Sequence, residues 1–157
     1  MSLQKRRVAD FPRPPAIEPD IRCIHIVLGG QTIAETTRAL RILETFYPPT
    51  YYLPPDAFRR GALILEPGHS FCEWKGAARY LAVSAGAREE KAAAWTYPDP
   101  APAHAALRDH VAVYAARMDA CLLGEERVTP QPGAFYGGWI TEDLIGPFKG
   151  PPGTEFW

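Results

Sequence analysis

Proline and glycine limit the length of anything this chain can build. Seventeen prolines and thirteen glycines recur at short intervals along 157 residues. Roughly a fifth of all positions thus break helices or set turns, which favours many short strands over long helices. They separate apolar runs, so they punctuate a fold and do not make a low-complexity tract. Hydrophobic residues make up 46% of the chain and charged residues 22%, the balance of an ordinary globular protein. The length suits one domain around a single core.

The formal net charge of −1 argues against general nucleic-acid binding, which needs a basic face to displace counterions. Cys23, Cys72 and Cys121 are odd in number and widely spaced. They make a poor disulfide framework, and reduced thiols in the cytoplasm are the simpler reading. No secretory leader is evident, and no apolar run approaches the ~18 residues that span a bilayer. A soluble, cytoplasmic protein that binds neither nucleic acid nor membrane is expected.

Residues 1–20 read as an extended arm that packs on the domain or stays mobile, because Pro12, Pro14, Pro15 and Pro19 cannot donate to a ladder. In residues 21–28, Ile24, Ile26 and Leu28 share one face, and Gly29-Gly30 signals a tight turn into a returning strand from Gln31. Residues 39–45 fit strand or short helix, and the prolines after them favour strand. Residues 50–53 read as a short aromatic strand, and Asp56 as the cap of a helical turn. Separate strands are expected at 62–65, 70–74, 78–84 and 91–97. Residues 104–123 fit both periods; a helical turn and then two strands closed at Gly124 is the favoured reading. The Gly/aromatic tail, residues 129–157, is expected to pack on the domain formed by 21–128.

The densest chemistry lies in Cys72-Glu73-Trp74-Lys75-Gly76-Ala77-Ala78-Arg79-Tyr80 and in Trp95-Thr96-Tyr97-Pro98-Asp99-Pro100. With Ala34-Glu35-Thr36, Leu43-Glu44-Thr45 and Pro49-Thr50-Tyr51-Tyr52-Leu53-Pro54, these segments resemble the domain of unknown function 427 family over residues 21–125. The tail looks like the extension of a longer subgroup. The resemblance implies a compact, mainly antiparallel β domain of short strands with one or two short helices and no established activity. The β-tent group of folds is a candidate relation. The nucleotidyltransferase label sometimes given to the family is not supported here. Gly29-Gly30 is present, but no Asp-x-Asp pair comes after it to hold two metals.

Each candidate residue has a functional and a structural reading. Cys72 is a thiol among aromatic and polar groups, or a small interior residue. Lys75, before Gly76, is a cation for a ligand carboxylate or phosphate, or a solvated lysine paired with Glu44. Glu44 is a base or ligand anchor, or a strand-end carboxylate; Arg38 is a similar case. Tyr52, Tyr80 and Trp95 are pocket wall or core packing. His69 and Cys72 have the spacing of half a metal site, while Cys23, His25, Cys121, His104 and His110 read as lone residues. No metal or cofactor is therefore expected. The residues 146–150 lack the spacing of a phosphate loop.

Two functions of different class are consistent with these residues. One is a small-molecule-binding domain, enzymatic or not, with a pocket built from Arg38, Glu44, Tyr52, Cys72, Lys75, Tyr80 and Trp95. The other is a non-catalytic structural or interaction module. Its core is filled by the aromatics, and its tail joins a second copy in a homo-oligomer.

Overall fold

The computed structural model describes residues 4–72, 74–133 and 136–157. Strands β1 (Arg6–Arg7) and β2 (Ala16–Asp20) come from the arm. A hairpin of β3 (Ile24–Leu28) and β4 (Gln31–Thr36) leads to β5 (Ala39–Leu43) and β6 (Thr50–Tyr52). The longest strands are β7 (Leu63–Cys72), β8 (Gly76–Ser84) and β9 (Glu89–Thr96). After them come β10 (Val111–Val113) and β11 (Ala120–Leu123). The pieces β12 (Glu126–Arg127), β13 (Thr129–Pro130), β14 (Trp139–Ile140) and β15 (Leu144–Ile145) carry the chain into the tail. The helical segments are short 3-10 turns, as the frequency of proline and glycine dictates.

Three antiparallel sheets carry the structure, in the strand orders β12-β11-β3-β4, β10-β9-β8-β7 and β2-β5-β6. The Gly29-Gly30 turn of the hairpin has φ of +60° and +72°, the left-handed pair that matches strand twist. Leu53 and Val111 exchange two backbone hydrogen bonds of 2.8 Å, tying the β6 sheet to the β10 sheet. The main core lies where Ile24, Ile26 and Leu28 meet Leu81, Val83, Val111 and Val113.

Two expectations need correction, whereas the arm takes its packed alternative, since residues 16–20 pair with β5. Pro19 is tolerated because β2 is an edge strand, where a missing N–H leaves no ladder partner unpaired. The strands expected at 62–65 and 70–74 are one strand, β7, and the register irregularity between Leu65 and His69 absorbs Pro67. Asp56 caps nothing: Pro54 holds the cap position of the turn, and the Asp56 carboxylate pairs instead with Arg38 at 2.9 Å.

An ionic cluster stands behind the β2-β5-β6 sheet. Arg41 is buried and bonds Glu18 and the Tyr51 hydroxyl, the latter at 3.2 Å. Arg22 bonds Asp20 at 2.5 Å and reaches Asp143 at 3.4 Å. The Tyr51 hydroxyl donates to Asp20 at 3.2 Å. Burial pushes the Asp20 carboxyl up, but hydrogen bonds from Arg22 and the charges of Arg22 and Arg41 outweigh it. They hold the carboxyl below its ordinary value of 3.8. On acidification the unfolded chain therefore takes up this proton first. The stabilisation is complete above pH 3.8 and is lost as pH falls through the folded value. Asp20→Asn is expected to cost about 3 kcal/mol at neutral pH by removing the carboxylate that Arg22 and Arg41 share, leaving Asp143 and Glu18 as their counter-charges. Its urea stability should also fall less steeply than wild type in acid; matching acid slopes would refute this account.

Candidate functional site

The alternation of three strands builds one face of a cleft. Ser70 pairs with Ala78 and Tyr80 with Trp95 across β7, β8 and β9, so all four side chains share a sheet face. Leu81, Val83 and Ala94 point the other way, into the main core. Facing this surface, Ile42, Thr50 and Tyr52 come from β5 and β6, while Tyr51 turns to the ionic cluster. The cleft between them has a volume of about 630 Å³.

Six of the seven residues singled out in the sequence line this cleft: Glu44, Tyr52, Cys72, Lys75, Tyr80 and Trp95. Arg38 does not. It lies on an exposed surface in a pair with Asp56. Lys75 forms no ion pair with Glu44 among the described residues. The Glu44 carboxylate lies 3.9 Å from Arg13, which also donates to the carbonyl oxygen of Thr45. Glu73, part of the same motif, falls outside the described residues.

The floor is aromatic and tightly fixed. Trp95 Nε1 donates to the Tyr52 hydroxyl at 3.2 Å, with the two rings edge to face. Tyr114 packs on Trp95 with 4.6 Å between ring centroids. Burial pushes the Tyr52 phenol well above its ordinary value, and neighbouring Tyr97 adds to this. Both phenols stay protonated at neutral pH, and Tyr97 is raised first by burial and then by Cys72. Behind the Trp74-Lys75 turn, His104 is buried, and neither ring nitrogen has a hydrogen-bond partner among the described residues. Burial and then the Lys75 charge push its pKa down. The carbonyls of Trp74 and Pro15 counteract this without reaching hydrogen-bond geometry.

The fourth side of the cleft comes from the tail, which sequence patterns do not place there. Tyr136, Gly137, Lys149 and Trp157 all line it. Lys149 is 9% exposed, and its ammonium stands 5.1 Å from the Tyr47 ring centroid and 5.8 Å from that of Tyr136. Its charge helps to hold the Glu155 carboxyl below its ordinary value, after backbone hydrogen bonds. Backbone contact, not periodicity, brings this segment in. Lys149 N–H donates to the Phe46 carbonyl, and Gln131 Nε2 donates to the carbonyl oxygen of Lys149 at 2.7 Å. No spacing rule in the sequence signals such contacts.

A family model described as a domain of unknown function (DUF427) matches residues 16–124. The chain belongs to the DUF427 family. No curated protein matches it. The DUF427 region thus takes in β2, which the sequence pattern assigns to the arm, and it ends before the tail. Among its described residues the cleft offers one carboxylate, Glu44.

Gly137 determines how the tail docks. A methyl group there would overlap the Trp95 indole. Gly137→Ala should therefore displace the tail or the ring, at a cost of about 1–3 kcal/mol. Thermal melts followed by tryptophan fluorescence test this, and an unchanged melting temperature would show that the contact is not fixed.

Proposed function

We propose that this protein binds a small molecule, with an anionic head and a planar or apolar body, in the cleft that the DUF427 region and the tail enclose together. The observation that carries this reading is Lys149. It is 9% exposed, and the Glu155 charge it interacts with lies outside the cleft lining. The Tyr47 and Tyr136 rings provide a partial cation–π cage, and the ammonium borders the cleft. A ligand carboxylate or phosphate would complete its coordination. Lys75 adds a second cation from the turn between β7 and β8, while Arg13 is already engaged with Glu44. The rings of Tyr52, Tyr80, Trp95 and Tyr114 supply the flat apolar wall. The volume of about 630 Å³ lies within the usual range for small-molecule sites, roughly 300–1,000 Å³.

A thermal-shift screen of aryl carboxylates and nucleoside monophosphates against wild type is the first test. Lys149→Met should weaken binding of any hit by about 10- to 100-fold, the worth of one charge-assisted hydrogen bond. Lys75→Met should weaken it less. If no member of either class binds, or if hits bind both variants as tightly as wild type, the reading fails.

One observation favours the interaction module as a second reading. Strand β7 is a sheet edge and exposes Leu65 and Phe71 at 59% and 78%. A second copy pairing along this edge would give a homodimer. Light scattering should then show a dimer that Leu65→Lys dissociates; a monomeric wild type removes this reading.

A further inference from the structure

We propose that Cys23, His25 and Glu35 form a binding site for a divalent transition metal of the Zn²⁺ class. The site is separate from the cleft and does not depend on the cleft holding a ligand. Its placement comes from strand alternation. Ile24, Ile26 and Leu28 point into the core and are fully buried, so Cys23 and His25 point to the opposite face of the sheet. The β3–β4 register sets Glu35 directly across from His25. The Cys23 backbone is anchored as well, since its carbonyl oxygen accepts a 2.7 Å hydrogen bond from Gly124 N–H.

The three donor atoms are already near coordination spacing, all within 4.8 Å of one another. His25 Nε2 lies 3.4 Å from Glu35 Oε1. Cys23 Sγ lies 3.9 Å from the His25 ring nitrogens and 4.0 Å from Glu35 Oε1. A tetrahedral Zn²⁺ with ordinary bond lengths sets such donors about 3.3–3.6 Å apart. Cys23 Sγ is equidistant from the two ring nitrogens, so binding also turns the imidazole until one nitrogen faces the shared centre, on a fixed backbone. The His25–Glu35 pair alone would be an ordinary half-exposed contact of little energetic worth. The thiol converts it into a three-donor set with sulfur, nitrogen and oxygen, a combination that suits Zn²⁺, Co²⁺ or Cu²⁺ far better than Mg²⁺ or Ca²⁺.

The fourth position falls to solvent or an external donor, because Cys121 cannot supply it. That residue pairs with Ile26 and faces the core, and burial pushes its thiol up to about 12. Binding involves no electron transfer. The metal forms bonds to sulfur, nitrogen and oxygen, the Cys23 thiol loses its proton to water, and one proton is released per ion bound.

Titration of the full chain with Co²⁺, read by absorption, tests the site. Zn²⁺ competition against a chromophoric chelator gives the affinity. One equivalent should bind, with a thiolate-to-cobalt charge-transfer band. Cys23→Ser should abolish that band, and His25→Ala or Glu35→Gln should weaken binding by about tenfold or more. Cys72→Ser, in the cleft, should leave the band intact. Cys23 and His25 are only partly buried, so melting curves of the variants should match wild type and separate lost metal from lost fold. A band that survives Cys23→Ser, one that vanishes with Cys72→Ser, or an affinity unchanged by His25→Ala would overturn the proposal.

Discussion

Tyr51 is held at both ends, and the architecture turns on it. Its ring stacks on Trp139 with centroids 4.8 Å apart, and its hydroxyl joins the Asp20–Arg41–Arg22 cluster. One side chain thus links the arm, the central sheet and the tail. Its neighbour Tyr52, on the opposite face of the same strand, meets Trp95 at the cleft floor. The two-residue period of a β-strand therefore assigns one tyrosine to structure and the next to the cavity. Burying the ionic cluster is expensive, and its many mutual hydrogen bonds offset that cost while fixing which surfaces meet.

Much of the local structure can be read from the chain. Gly29-Gly30 specifies a hairpin turn because two successive left-handed residues exclude most side chains. Strand alternation gathers Tyr80 and Trp95, and their motifs already signal a polar, aromatic site. What alternation cannot show is which face looks at which neighbour. Arg38 sits just before β5, close in sequence to Glu44, yet it points to open surface and Asp56. Its partner is chosen by the path of residues 53–58, which no periodicity encodes.

Two groups of residues escape the sequence for different physical reasons. Lys149 enters the cleft through backbone hydrogen bonds to Phe46 and a side-chain bond from Gln131, contacts set by tertiary docking alone. The gathering of Cys23, His25 and Glu35 is nearly legible. A regular hairpin about Gly29-Gly30 would place His25 opposite Ala34. The register shift between Ile26 and Val27 moves it opposite Glu35 instead. One bulge thus decides which side chain meets the imidazole, and bulges leave little trace in a single sequence.

The matched region and the tail divide the cavity between them. Residues 16–124 supply the scaffold and most of the cavity wall, whereas Tyr136, Lys149 and Trp157 close its remaining flank. Those residues also moor the chain end, since Trp157 packs on Phe46 and Lys149 N–H bonds the Phe46 carbonyl. Enclosing the hollow and fastening the tail are therefore a single set of contacts, and neither can be altered alone.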